Sequence, residues 1–512
     1  MNVSRMLKAV LILAAGVLQA AALKTAPFYG DNMVLQREKP IVIIGQADAG
    51  AVVEAEFMKT KASVKADDKG NFKVVLPEQK ACTEGCTVTL KSGDAVVQLK
   101  NVLVGDVWFC TGQSNMEWTM GGSKVLAGED IAKANLPLIR RVKFQHTYNT
   151  DVIPASEMKV SAWTDGTPAN VPQWTAVGFY FTRKLQQETG IPMGILDCNW
   201  GGTRIEPWTP AEEFALNPAF EKDVKTLANR AELAKKADEL NKVYLAELAA
   251  STNKAAVKKP NLPWNHQSPS AIYNTMVDGM TVMPIKGAIW YQGESNAGDP
   301  IYDLRMQAML SGWAKKWGYV LPFYYVQLAN FQAASEDVNN TGWGRIRQSQ
   351  LDALKLIPQS GMAVTIDIGE AKDIHPKNKF DVGERLARWA LRDLYGKKDL
   401  VVSGPLYKSM KIEGSKIRVS FDYADCCGLM VAVKNGMAPA AEVKDGKLEG
   451  FAIQAKDGKW FWADAVIDGT TVLVSNPEVK EPVNVRYAYQ SNPKANLYNK
   501  AGLPASPFTT VK

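Results

Sequence analysis

Apolar residues follow two different patterns along the chain. From Lys24 to about Asn101 they alternate over short runs broken by turn residues: Ile41 to Ile44, Val52 to Phe57, Phe72 to Leu76 and Cys86 to Leu90, with Asp67-Asp68-Lys69-Gly70-Asn71 as a turn. Alternation with period two is the mark of half-buried strands, so residues 23–101 are expected to form an all-β module. The same pattern returns after Leu400, at Lys416 to Phe421, Leu429 to Val433, Phe451 to Gln454, Thr471 to Ser475 and Val483 to Tyr489. A second β region is therefore expected at 401–512, and the two should flank whatever lies between.

Between them the pattern changes. Continuous apolar runs recur at Val104 to Cys110, Met193 to Asn199, Lys286 to Gln292, Pro322 to Leu328 and Met362 to Ile368, most of them separated by helix-like segments. Phe179 to Glu188 stops at Gly190-Ile191-Pro192. Met306, Met309, Leu310, Trp313 and Trp317 recur at helical spacing up to Gly318, and Ile346 to Leu356 follows the next strand. Asp381 with Glu384 reads as a capping box for a last helix through Leu386, Ala390 and Leu394. The expectation for 102–400 is an α/β fold with a five-stranded parallel sheet covered on both faces. A stretch at about 212–259 stands outside this alternation; Leu233, Ala237, Leu240, Tyr244 and Leu248 share one stripe, as in a helical insertion packed on its own domain.

Composition narrows the function. The chain of 512 residues is 46% hydrophobic and 22% charged, a globular balance, and its net charge of +7 is spread without a basic block, which argues against nucleic acid as a partner. Residues 1–22 read as a signal peptide: Arg5 and Lys8, then Ala9 to Leu18, then Ala20-Ala21-Ala22. That apolar run is well short of the ~20 residues needed to span a bilayer, so export to the periplasm or beyond is expected, with no integral membrane segment in the mature chain. Cys82 and Cys86 are placed to close a small loop in an oxidising compartment. Only three histidines occur, His146, His266 and His375, which argues against a histidine-rich metal site.

Ligands of open parallel sheets bind beyond the carboxyl ends of the strands. Those ends carry Thr111-Gly112-Gln113-Ser114-Asn115-Met116, Trp200-Gly201-Gly202-Thr203-Arg204, Gln292-Gly293-Glu294-Ser295-Asn296 and Asp373-Ile374-His375-Pro376. A serine hydroxyl needs an imidazole to take its proton, and the imidazole needs a carboxylate to orient it. Ser114, His375 and Asp373 suit those roles. Ser295 is the rival nucleophile, while His146 and His266 follow no expected parallel strand and read as structural. Trp118, Trp200, Trp208 and Trp290 cluster in sequence around these blocks and are candidates for an aromatic stacking wall at the site or for core packing.

These blocks, in this order, resemble the sialate O-acetylesterase family of the SGNH hydrolases, as do Asp31-Asn32-Met33-Val34-Leu35-Gln36 and Gly502-Leu503-Pro504-Ala505-Ser506-Pro507-Phe508 near the ends. The resemblance implies a flavodoxin-like catalytic domain that hydrolyses acetyl esters on sugars without a metal or other cofactor, with O-acetylated sialic acid first and acetylated xylan or another polysaccharide as the alternative. It makes Ser114 the nucleophile and His375 the base. The Ser114 N–H, an N–H of Gly201-Gly202, and the amide of Gln292 or Asn296 become the oxyanion donors. The family's usual aspartate position, three residues before the histidine, holds Lys372 here. Asp373 is thus the first choice of acid and Glu294 the alternative, with Asp367 and Glu370 behind. Gln113, Arg204, Trp118 and Trp208 are the candidate substrate contacts; Arg204 would meet a sugar carboxylate or pair with Glu206. Paired carboxylates for a glycosidase, such as Glu294 with Asp373, and a non-catalytic carbohydrate-binding role are the readings from other classes.

Overall fold

The strand expected at Val104 to Cys110 is the second half of a longer one. In a computed structural model of the protein, which describes residues 23–511, Ala95–Gly112 (β1) first pairs antiparallel with Cys82–Ser92 and then enters the central sheet. Its side chains alternate between buried and exposed up to Lys100 and are buried without a break from Val102 onward, as a strand requires when both its faces become covered. One strand thus runs through the expected boundary between residues 101 and 102. The expected signal segment lies outside the described residues.

The central sheet continues with Leu136–Lys143 (β2), Thr164–Gly166 (β3), Met193–Asn199 (β4), Gly287–Tyr291 (β5), Phe323–Gln327 (β6) and Ser360–Val364 (β7), in the order β3-β2-β4-β1-β5-β6-β7. Every pairing on this path is parallel except β3 with β2. The sheet is therefore mixed, and its parallel part extends one strand beyond the expected five. The extra strand is β2, whose Pro137 and Arg140-Arg141 hide the apolar pattern. Both arginines are nonetheless buried, Arg141 donating from Nε to Asp197 Oδ2 of β4 at 2.8 Å.

Helices cover the sheet where the spacing placed them. Ala176–Thr189 ends at Gly190 in the left-handed conformation, Tyr302–Trp317 buries Met306, Met309, Leu310, Trp313 and Trp317, and Gly344–Leu356 follows β6. The last helix, Lys379–Leu394, begins earlier than the capping box implied. Its cap is Asn378, which accepts from Asp381 N, so Asp381 lies in the first turn. This helix packs so closely on Ala176–Thr189 that a Cβ on Gly383 would lie 2.5 Å from Tyr180 Cβ.

The insertion forms Glu221–Ala228 and Arg230–Ala250; Ala237 is buried with Trp264 and Ala271, and Leu233 is half-buried beside them. In the carboxy-terminal region Lys416–Asp422 pairs with Leu406–Glu413 and Thr471–Ser475, and Phe451–Ala455 pairs with Trp460–Trp462 and Pro482–Tyr487. One continuous hydrophobic core reaches from Ala26 to Phe508. The Cys82 and Cys86 thiols are unbridged. Among the described residues no helix is long and apolar enough to cross a membrane.

Candidate active site

At the carboxyl edge of the sheet, β1 ends on Gly112 with φ at +135°, where a Cβ would sit 2.2 Å from Tyr291 O. Only glycine lets the two strand ends lie so close. Gln113 then donates its N–H to Tyr291 O at 3.0 Å, and the short helix Ser114–Glu117 starts with Ser114 at its first position. From the loop beyond β7, His375 reaches back across two strand ends to bring Nε2 within 2.9 Å of Ser114 Oγ. Its Nδ1 lies 3.2 Å from Asp373 Oδ1, which also accepts the His375 backbone N–H at 2.9 Å. The Trp118 ring stacks on the imidazole at 4.9 Å, fixing its plane.

Electrostatics keep this imidazole neutral. Partial burial and then the nearby Lys379 charge lower the His375 pKa below 6.5, against a smaller opposing pull from Asp373. Asp373 is held ionised, at about 2, first by Lys377 and then by the His375 N–H. A neutral imidazole hydrogen-bonded to a hydroxyl can accept its proton, and the carboxylate behind it can stabilise the resulting cation.

The other carboxylates are committed elsewhere. Glu294 is half-buried and accepts from Asn115 Nδ2 at 2.5 Å; Asp367 forms a two-pronged pair with Arg385 at 2.6 and 2.7 Å; Glu370 pairs with Lys377 at 3.2 Å. None has a contact with His375. Ser295 donates its hydroxyl to Gly202 O at 2.8 Å and has no imidazole beside it.

Several expected donors are also occupied. Gly201 packs on Ser114, but its N–H is taken by Glu117 Oε2 at 2.6 Å. Gln292, fully buried, donates its amide to Thr203 O and Asn296 Oδ1, while Asn296 donates to Glu206 Oε2 and Asp299 Oδ2. These correct the oxyanion assignments of Gly201, Gln292 and Asn296: amides inside a carboxylate network spend their protons there. Among the described residues, Ser114 N–H and Gly202 N–H meet no protein acceptor. Gln113 is anchored by its side-chain oxygen, which accepts from Gly293 N and Ser295 N.

Arg204 donates Nε and Nη2 to Glu206 Oε1 at 2.9 and 2.7 Å and Nη1 to Ser295 O at 2.9 Å, the ion-pair alternative for this residue. Trp208 is fully buried, its Nε1 on Thr203 Oγ1, and Trp290 packs edge-on against it; neither can meet a sugar. Trp200 stands half-buried between His146 and His266, stacked on both at 4.5 and 4.7 Å. His146 also meets Glu117 Oε1 at 2.8 Å. All three histidines therefore gather at this edge.

Sequence reasoning passed over Glu117, Asn115 and Lys379. Glu117 and Asn115 lie within three residues of Ser114, and their spacing was the available signal; Lys379 precedes the capping box expected at Asp381, so nothing in the sequence placed it on the helix beside the site.

Comparison with known proteins agrees with this picture. Residues 254–392 match the model of a carbohydrate esterase family, the sialic acid-specific acetylesterases. A crystal structure of a carbohydrate acetylesterase from Xanthomonas citri is 34% identical and superposes with a TM-score of 0.79 over 96% of this chain and 99% of that one. Mouse sialate O-acetylesterase is 26% identical over 98% of this chain and 96% of its own length, and the human enzyme is 26% identical over 78% of this chain and 76% of its own. An α/β sheet with this edge, shared along nearly its whole length with such an enzyme, defines a carboxylic ester hydrolase of the carbohydrate esterase class. The chain belongs to the sialate O-acetylesterase family.

Proposed function

We propose that the protein removes O-acetyl groups from a sugar through an acetyl-enzyme on Ser114. The observation that carries this reading is the 2.9 Å contact between Ser114 Oγ and His375 Nε2, with Asp373 behind the ring. His375 takes the hydroxyl proton as Oγ attacks the acetyl carbonyl. Ser114 N–H and Gly202 N–H receive the negative charge that develops on the carbonyl oxygen, and each such donor is worth about 2.7–4 kcal/mol of transition-state stabilisation. The imidazolium returns the proton to the departing sugar oxygen. Water, deprotonated by the same imidazole, then releases acetate. The order of β4, β1, β5, β6 and β7 supports the flavodoxin-like, SGNH-type reading, with the serine beside the β1/β5 crevice where the chain reverses direction.

O-acetylated sialic acid is the first substrate, because the mouse relative that matches almost the whole chain is named for it. A neutral acetylated polysaccharide is the second, favoured by one observation: Arg204 already turns its fork on Glu206. Acetate release should fall at least about 10³-fold in Ser114→Ala and His375→Gln. Comparing kcat/KM for acetylated sialosides and xylo-oligosaccharides selects the sugar. Full activity in Ser114→Ala with loss in Ser295→Ala would overturn the nucleophile.

A further inference from the structure

The serine and the histidine sit on elements that no sheet hydrogen bond holds together. Ser114 follows β1 and His375 follows β7, with β5 and β6 between them, so their strands lie roughly 14 Å apart at the usual spacing. The loop from Glu370 to Lys379 must fold back over that distance and stop where a hydrogen bond of 2.9 Å can form. Asn115, the residue after Ser114, is fully buried, and its side chain spans the gap. Its Nδ2 donates to Ile374 O, the carbonyl just before His375, at 3.0 Å, and to Glu294 Oε1 at 2.5 Å. Its Oδ1 accepts from Lys379 Nζ, on the first residue of the last helix. The orientation of the carboxamide is fixed by its partners: Ile374 O can only accept, and a flipped amide would turn its N–H₂ toward the Lys379 nitrogen.

We infer that Asn115 is a positioning residue, clamping the loop that carries His375 onto the helix that carries Ser114, with Lys379 and Glu294 as its holders. The inference rests on the proposed role of Ser114 and His375 and adds how the chain fixes their separation. Lys379 is fully buried, and Glu294 is half-buried with its Oε2 out of water. Burial draws Lys379 down to about 7 and pushes the Glu294 carboxyl upward, and Glu294 Oε2 is buried with no hydrogen-bond partner. Such groups are costly to bury, and here their polar atoms converge on one carboxamide beside the reacting serine.

The test is Asn115→Ala and Asn115→Asp, assayed on 4-nitrophenyl acetate beside Ser114→Ala. Misplacing reacting groups by about 1 Å costs about 10²-fold, so both Asn115 variants should lose about that much kcat with KM within about twofold. In Asn115→Asp the new carboxylate keeps an acceptor for Lys379 but has no donor for Ile374 O. Asn115→Asp should therefore lose kcat as fully as Asn115→Ala although the side-chain volume is nearly unchanged. Simple loss of packing would spare the nearly isosteric aspartate. A kcat within about twofold of the unmodified enzyme in either folded variant overturns the clamp. If Ser114→Ala is inactive while Asn115→Ala turns over normally, only the clamp fails; if Ser114→Ala stays active, the proposed function fails and the clamp with it.

Discussion

At the scale of single residues, His375 shows how burial and charge set working conditions. Its pKa lies below 6.5 because burial and Lys379 disfavour the cation more than Asp373 favours it. A base is active when unprotonated, so the acid limb of the kcat/KM profile should fall below pH 6.5 and activity should persist in mildly acidic solution. Asp373→Asn removes an influence that raises this pKa, so the limb should move to still lower pH. It should also cut kcat by about 10²-fold or more, because the imidazolium loses its carboxylate. A limb moving upward in that variant would show that Asp373 is not the dominant partner. Ser114, His375 and Asp373 were legible in the sequence because each follows a recognisable strand end and their chemistry needs one another. The oxyanion donors were not. Gln292 and Asn296 have the right side chains, and only the surrounding Thr203 O, Glu206 and Asp299 reveal that their protons are already committed.

At the scale of elements, periodicity located the helices and five of the parallel strands, since each presents an apolar run or stripe long enough to stand out. It lost β2 because burial there is achieved by pairing charge instead of excluding it. Asp197 on β4 is buried, takes Arg141 Nε and Nη2 at 2.8 and 2.7 Å, lies 3.3 Å from Lys143 Nζ, and accepts Asn199 Nδ2 at 2.6 Å. Those two cations hold its pKa down against the effect of burial. Removing one partner of a buried pair strands the other, at a cost of about 3–5 kcal/mol. Asp197→Ala should therefore destabilise the fold by that amount in urea unfolding monitored by tryptophan fluorescence. A change below about 1 kcal/mol would mean that water reaches Arg141 and that β2 is held by its backbone ladder alone. The loop Trp200-Gly201-Gly202 grows directly from β4, so a variant that survives should lose activity as well as stability.

At the scale of the whole molecule, the two β regions were visible in the sequence, but their attachment to the α/β sheet was not: the first is joined by a strand that runs on past the change of pattern, and the second by contacts between residues more than a hundred positions apart. β1 joins the amino-terminal strands to the central sheet through continuous backbone. The carboxy-terminal region is joined by side chains. Arg347 on Gly344–Leu356 is fully buried and spreads its guanidinium over four carbonyls, those of Leu328 and Ala329 after β6 and of Gln490 and Ser491 from the far end of the chain. Gln327 Nε2 adds a bond of 2.8 Å to Ser506 Oγ. Burial lowers Arg347 to about 9, so it remains a cation at neutral pH with carbonyl oxygens as its solvent. A methionine fills similar space but donates nothing, and each buried carbonyl left unpaired costs about 1–3 kcal/mol. Arg347→Met should therefore cost at least about 3 kcal/mol, and its consequence distinguishes two ways of building the molecule. If the continuous core makes sheet and carboxy-terminal strands one cooperative unit, tryptophan fluorescence and esterase activity will be lost together at a lower urea concentration. If the guanidinium is the main tie, the carboxy-terminal strands will loosen first, exposing the half-buried Trp460 to quenching while acetate release continues. The core that runs from Ala26 to Phe508 without a gap favours the single transition.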